Sequence, residues 1–120
     1  MRLSILVVER EDMVLQTIRS MIEESGHIVF TATSQLRALG ILNSIAVDIV
    51  VTSLALEGAT DGLLLATKAK ALQPKISVLL VSDIHENRRC HYSQVDGYIQ
   101  KPFDCNDIAR AIKLIYKSHV

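Results

Sequence analysis

Short apolar runs recur along the chain, and each has the length and composition of a β-strand. The run at residues 3–8 is almost continuously apolar, which is typical of a parallel-sheet strand buried on both faces. The run at 48–53 enters on Asp48 and leaves on the hydroxyl of Ser53, with Ile and Val between them. Five strands are predicted in all, at residues 3–8, 27–32, 48–53, 77–82 and 97–100.

The stretches between the strands place apolar residues at helical spacing. After the first strand, Asp12 is a good N-cap for a helix that carries Val14, Ile18 and Ile22 on one side and ends at Gly26. Segment 83–94 is dense in charge and has the least regular pattern. Later helices are predicted after the cap candidates Thr33 and Ser34, after Asp61-Gly62, and after Asp104 or Asn106.

This alternation of strand and helix predicts right-handed βαβ units and a parallel sheet covered on both faces. We expect one α/β domain over residues 1–120, a three-layer (βα)5 sandwich of flavodoxin-like strand order 2-1-3-4-5. Functional groups in such folds lie at the carboxyl ends of the strands. Ser53 should therefore lie at the centre of any site.

Composition excludes several classes of function. Lys plus Arg and Asp plus Glu number 13 each, so no basic excess indicates nucleic-acid binding. No apolar run approaches the roughly 20 residues that span a bilayer. The two cysteines, Cys90 and Cys105, give no disulfide framework, which favours a reduced, cytoplasmic setting.

Several motifs together resemble the receiver domains of two-component response regulators, over nearly the whole chain. The most specific motif is residues 96–103, which run from Asp96 to Phe103 through Lys101-Pro102. The other motifs are 5–8 followed by charge, Gly26-His27, Asp48 five residues before Ser53, and Ser82 at the end of strand four. The resemblance implies a cis bond between Lys101 and Pro102.

The resemblance also implies a reaction, in which a histidine kinase phosphorylates an aspartate at the end of strand three. Two acidic residues after strand one and that aspartate hold Mg²⁺ in the family. Transferred to this chain, the acidic pair becomes Glu9 and Arg10, the acceptor Ser53, the hydroxyl after strand four Ser82, the phosphate-binding lysine Lys101 and the switch aromatic Tyr98.

Two of these replacements should abolish the chemistry. Ser53 cannot form an acyl phosphate and supplies no carboxylate ligand, and its hydroxyl would need a general base to attack phosphorus. Arg10 places a permanent positive charge where a metal ligand belongs. Since Mg²⁺ prefers several oxygen ligands, Glu9 alone should bind it very weakly, and we expect no cofactor.

Other departures alter the loops. Glu57 replaces a proline, one extra residue precedes Gly62, and Asp83 replaces a small residue. Segment 82–101 is about three residues short, so the helix between strands four and five should lose roughly a turn. The surface that partners contact in this family should therefore be unusual.

The altered site allows two interpretations. Arg10 or Lys101 neutralises Glu9 in an internal ion pair, or the charges form a solvated cluster. Ser53 is either a relic of the lost acceptor or a nucleophile with Glu9 near it in space. Ser82 and Tyr98 form either a working hydroxyl and aromatic switch or a static pair, and the loss of phosphate favours the static pair.

Two residue sets invite weaker hypotheses. The candidate ligands of a metal site are His85, Cys90, His91 and Cys105. Their positions lack the spacing of structural zinc ligands, which favours an irregular polar loop instead. Surplus apolar residues mark either an interaction surface, including a possible homodimer, or chance exposure. They are Leu36, Ile41, Ile45, Leu63 and Leu64.

The sequence thus predicts a degenerate, non-enzymatic receiver that acts as a phosphorylation-independent interaction module. Its expected partners are a histidine kinase, another receiver or an effector domain, not nucleic acid or membrane. The alternative is a relay protein phosphorylated on Ser53 or on Glu57 or Asp61. A flavodoxin-like cofactor site is disfavoured because residues 9–12 lack glycine and are mostly acidic.

Overall fold

The computed structural model describes residues 2–56, 61–82 and 93–118. A five-stranded parallel sheet has the order β2-β1-β3-β4-β5, as predicted. The strands are β1 (Ser4–Val8), β2 (Ile28–Ala32), β3 (Ile49–Ser53), β4 (Ser77–Ser82) and β5 (Gly97–Gln100). The helices in the described residues are α1 (Asp12–Glu24), α2 (Gln35–Ser44), α3 (Gly62–Leu72) and α4 (Cys105–Ser118). The predicted shortened helix before β5 falls largely on residues 83–92, outside the described part.

The sheet separates two apolar cores, because alternate strand residues face opposite sides. Ile5 and Val7 of β1 pack with α1 and α4, whereas Leu6 and Val8 pack with α2 and α3. β3 divides in the same way, with Val51 in the first core and Val50 in the second. Both central strands are therefore covered on both sides, which explains their continuous apolar runs.

The helix starts follow the capping residues closely, with one error. Ser34 and Asp61 cap α2 and α3, each accepting a backbone N–H from three residues further along. Asp12 is not the cap of α1 as predicted. Glu11 is the N-cap and makes no side-chain cap hydrogen bond, and Asp12 is the first helical residue. The Glu11 carbonyl already accepts the Leu15 N–H, which starts the helix one residue earlier.

Asp104 rather than Asn106 caps α4. The Asp107 N–H donates to Asp104 Oδ1 at 2.9 Å, and the Asp104 N–H donates to Asp107 Oδ2 at 3.0 Å. This reciprocal pair is a capping box formed by two aspartates. Just before it, the bond between Lys101 and Pro102 is cis, as the resemblance implied.

At the amino edge of the sheet, side chains hold the backbone of neighbouring segments. Asp48 Oδ2 accepts the Ser4 N–H at 2.8 Å, and His27 Nδ1 accepts the Leu3 N–H at 3.1 Å. Asp96 Oδ2 accepts the Val78 N–H at 2.7 Å and the Lys70 ammonium at 2.8 Å. These contacts fix where β1 and β4 begin.

Gln73, immediately after α3, holds the loop that leads into β3. Its Oε1 accepts the Val47 N–H at 2.9 Å, and its Nε2 donates to the carbonyls of Leu42 and Ile45 at 2.8 and 2.7 Å. All three backbone partners belong to the segment 42–47 that leads into β3. One side chain therefore satisfies three backbone groups that the α2–β3 turn leaves open.

The surplus apolar residues divide into two groups. Ile41 and Ile45 are partly buried against the core under α2 and α3, so their assignment to an exposed surface was wrong. Leu36 and Leu64 are exposed, and Leu63 is half-buried. Within the described ranges, no helix is long and apolar enough to cross a membrane.

Candidate functional site

The carboxyl ends of β1, β3 and β5 bring three of the predicted site residues together. Glu9 directly follows β1, Ser53 ends β3, and Lys101 directly follows β5. Because Val8 lies opposite Thr52 in the β1–β3 register, Glu9 comes beside Ser53 although 44 residues separate them. Parallel pairing thus creates the cluster that the sequence placed at this edge.

Glu9 is the centre of the cluster and is only 4% exposed. Ser53, 9% exposed, donates its hydroxyl hydrogen to Glu9 Oε1 at 2.6 Å. The Glu11 N–H donates to Oε2 at 3.0 Å, and Lys101 Nζ lies 3.5 Å from Oε1. A buried carboxylate is thereby satisfied by a hydroxyl, a backbone amide and an ammonium group.

Backbone hydrogen bonds position both charged residues. The Glu9 N–H donates to the Ala32 carbonyl at 3.1 Å, and the Lys101 N–H donates to the Ser82 carbonyl at 2.9 Å. Each residue thus extends the sheet ladder by one step beyond its strand. The side chains start from a rigid edge rather than from a loop.

The structure distinguishes the two cations that the sequence offered as partners for Glu9. Lys101 is partly exposed and reaches Glu9 from β5. Arg10 is exposed and forms no ion pair with any residue that the structure describes. The internal ion pair is therefore made by Lys101 alone.

Ser82 and Tyr98 lie beside this cluster without joining it. Ser82 is half-buried at the end of β4, and Tyr98 is exposed on β5. In the β4–β5 register Tyr98 pairs with Leu80 and Gln100 with Ser82, so the two hydroxyl residues are two positions apart. No hydrogen bond links either hydroxyl to Glu9 or Ser53, all four being described residues.

Gly62 allows the start of α3 to approach the backbone carbonyl of Ser53 closely. A Cβ at position 62 would collide with the Ser53 carbonyl oxygen, so only glycine fits there. The Gly62 N–H donates to the Leu54 carbonyl at 2.7 Å, and Thr52 Oγ1 donates to the Ser53 carbonyl at 2.9 Å. From the sequence, Gly62 was predicted only to start a helix. The Asp-Gly pair after a strand was the signal that could have indicated this close approach to Ser53.

The residues present do not fit the Mg²⁺ site of a receiver. No three His, Cys, Asp or Glu side chains converge within the described part of the chain. Both oxygens of Glu9 already accept donors, and Ser53 adds no charge. Mg²⁺ demands near-octahedral oxygen ligation. One carboxylate whose two oxygens already accept other donors supplies too few ligands for it.

The Cys/His group shows no second centre among described residues. Cys105 donates its thiol to Glu24 Oε2 at 3.3 Å, and this hydrogen bond raises the pKa of Cys105. The other members, His85, Cys90 and His91, lie outside the described residues, as does Glu57. Asp61 is committed to capping α3.

Comparison with known proteins identifies the class. The family model of the response regulator receiver domain matches residues 5–113, and the chain belongs to this family. It is 26% identical over 121 residues to the Fimbriae Z protein of Salmonella typhimurium, covering 97% of this chain and 57% of that protein. The chain therefore spans little more than half the length of that relative.

Solved structures agree on the fold. The receiver domain protein of Clostridium thermocellum superposes with a TM-score of 0.86 at 24% identity, covering 97% of this chain and 95% of that one. NtrX of Brucella abortus, solved with ADP, gives 0.90 at 26% identity and covers 99% of this chain but 28% of its own. The β2-β1-β3-β4-β5 sheet is thus the receiver architecture.

Proposed function

We propose that this receiver domain has exchanged metal-dependent phosphotransfer for a fixed polar network and acts as a phosphorylation-independent interaction module. The observation that carries the proposal is the 2.6 Å hydrogen bond from Ser53 to Glu9. It joins the residue at the acceptor position to the single carboxylate of the former metal pair. The domain is then held in one state by its own side chains.

Electrostatics supports this assignment. A receiver site concentrates three carboxylates that only a divalent cation relieves, whereas here one buried carboxylate meets one ammonium group. The site is close to neutral without metal. Since an unpaired buried charge is costly, the Lys101–Glu9 pair removes the electrostatic reason for binding Mg²⁺.

The direct test is a Mg²⁺ titration followed at the backbone amide of Glu11, which donates to Glu9. We expect no saturable NMR shift of that amide at millimolar Mg²⁺. The matched positive control is the Ser53→Asp/Arg10→Asp variant, which rebuilds three carboxylates around the same point. A saturable shift in the native protein would refute the proposal.

A second candidate function is favoured by the same hydrogen bond. Glu9 Oε1 is placed to accept the Ser53 proton, so Ser53 has the general base that a serine nucleophile needs. Incubation with Mg²⁺ and a small phosphoryl donor, followed by intact mass, separates the two functions. A stoichiometric gain of about 80 Da, one phosphoryl group, on Ser53 would favour the second.

Partners follow from the family. We propose that a histidine kinase, another receiver or an effector domain binds this module in the cytoplasm, through surfaces rather than through the site. Pull-down of such a partner by the native protein and by the Ser53→Ala variant tests this. Equal capture by both is expected, and loss with Ser53→Ala would show that the site itself is read.

A further inference from the structure

An apolar groove runs along α1 on the face opposite α2 and α3. It has a volume of about 330 Å³ and lies between α1 and the segment after β5, with Met13, Ile18, Met21, Pro102 and Phe103 among its walls. Met13 is 83% exposed at its rim. A polar extension continues the groove past Gln16 and Ser20 to Glu24 and Cys105. We call this groove and its extension the α1 groove.

The border of the α1 groove is acidic although the whole chain is neutral. Residues 9–24 contain five carboxylates and two arginines, and 101–107 contain two carboxylates and one lysine. Asp12, Glu24 and Asp104 are exposed there. Lys101 is paired with Glu9, and within 9–24 the four exposed carboxylates outnumber the one exposed arginine, Arg10, so the net exposed charge at this border is negative.

The outer side of α3 has the complementary character. Leu64, Lys68 and Leu72 follow each other at four-residue spacing, which places them on one helical face, and all three are exposed. Leu64 and Leu72 are 45% and 43% exposed. Lys75, in the turn that follows α3, is exposed too. We call these four residues the α3 stripe.

The two surfaces also match in length. Met13 and Glu24 are 11 residues apart, about 16 Å along a helix, and Leu64 and Leu72 are 8 residues apart, about 12 Å. Two leucines about two helical turns apart therefore fit within the groove. Lys68 and Lys75 would then reach the carboxylates on its border.

We propose that the α3 stripe of one molecule docks in the α1 groove of a second copy of this chain. Because α1 and α3 cover opposite faces of the sheet, a molecule cannot fill its own groove. The contact is heterologous, so each copy keeps one free groove and one free stripe, and assembly continues head to tail. This self-association does not depend on the state of Ser53 and goes beyond the proposed function.

Sedimentation equilibrium over a range of concentrations tests the assembly. For the native protein we expect an average mass that rises past the dimer, with association weakened by salt because the charges are at the surface. Met13→Glu, in the groove, and Lys68→Glu, in the stripe, should each weaken association at least tenfold. Leu36→Asp is the matched control, an exposed leucine on α2 outside both surfaces, and should associate like the native protein.

Mixing the two variants gives the sharper result. The intact stripe of Met13→Glu fits the intact groove of Lys68→Glu, so an equimolar mixture should form a 1:1 dimer and stop there. A native protein that stays monomeric, or stops at a dimer, overturns the proposal, as does a mixture that stays monomeric. Both changes are at exposed sites; should either variant fail to fold by circular dichroism, Glu24→Lys and Lys75→Glu replace them with the same expected outcomes.

Discussion

The two edges of the sheet use polar side chains in opposite ways. At the amino edge, Asp48, Gln73 and Asp96 hydrogen-bond to backbone groups of neighbouring segments. At the carboxyl edge, Ser53, Glu9 and Lys101 contact mainly one another. The first set satisfies backbone groups that every sequence with this fold must expose, whereas the second satisfies mainly its own side chains and one backbone amide, that of Glu11.

The difference shows which residues define the fold and which define the site. A backbone amide cannot be changed by mutation, so its side-chain partner is hard to replace. A side-chain cluster can be changed without altering the backbone: Ser53 and Arg10 replace residues of the family's site, whereas Glu9 and Lys101 retain its residue types. Substitutions at the amino edge should therefore reduce stability most, and those at the carboxyl edge should mainly alter ligand binding.

The largest expected effect is that of Gln73→Ala. The change removes the side-chain partner of the Val47 amide and of the carbonyls of Leu42 and Ile45. It should lower the free energy of unfolding by about 3 kcal/mol. Urea denaturation measures this, with Asn43→Ala on exposed α2 as the control. A loss no greater than that of the control would contradict the distinction between the edges.

Ser53→Asp comes next. The new carboxylate would lie beside buried Glu9, where like charges repel, so roughly 2 kcal/mol of stability should be lost. Mg²⁺ should not restore it, because Arg10 still adds positive charge. Ser53→Asp/Arg10→Asp should bind Mg²⁺ and regain stability in its presence, which thermal melts with and without Mg²⁺ will show. If Mg²⁺ restores the stability of Ser53→Asp alone, then Arg10, which is exposed, does not prevent metal binding.

A pH effect should come from the amino edge. Burial lowers the pKa of His27 below its ordinary 6.5, because a charged ring is poorly solvated there. The neutral ring accepts the Leu3 N–H. Above the unfolded pKa both states are neutral; as pH falls below it the unfolded chain binds the proton first, so stability is lost. The protein should therefore be less stable at about pH 5.5 than at about pH 7.5.

His27→Asn isolates that contribution. Its side-chain oxygen replaces Nδ1 as acceptor but does not titrate in this range, so the urea midpoint of the variant should vary less with pH. Nearby Asp48 raises the pKa of His27 and opposes the burial effect. Parallel pH profiles for the two proteins would rule out His27 as the source.

The smallest difference compares Lys101 with Arg10. Lys101→Met removes a partly exposed ion pair and should cost at most about 1 kcal/mol, whereas Arg10→Met, without a described partner, should stay within about 0.5 kcal/mol of the native protein. The measurement is urea denaturation of both variants at low and high salt. A salt-sensitive loss with Arg10→Met instead would reverse the assignment of the ion pair.

Local patterns predicted the fold well because they act over short distances. Strand boundaries came within one residue, since apolar runs and the turn residues around them mark both ends. The capping error at Asp12 arose because Glu11 and Asp12 are both acidic neighbours before an apolar stripe. Only the Leu15–Glu11 hydrogen bond distinguishes them.

Long-range side-chain pairs could not be predicted in the same way. Gln73 reaches residues 26 and 31 positions away, and nothing in its local pattern separates it from a solvated glutamine. Ser53 and Glu9 were placed at one edge by topology, but the choice between Arg10 and Lys101 needed the direction of each side chain. Ile41 and Ile45 were predicted to lie outside the buried stripe of α2. Helical periodicity gives the direction of that stripe but not the width of the core between α2 and α3.

The Gly62–Leu54 hydrogen bond has a consequence for how this domain can change over evolution. It joins the two ends of the segment that follows the acceptor position, and a bridge between Ala55 and Asp61 holds them together further. Insertions between these closed ends need not displace Ser53 or the start of α3. The segment is thus a natural place to graft a reporter peptide without disturbing the site.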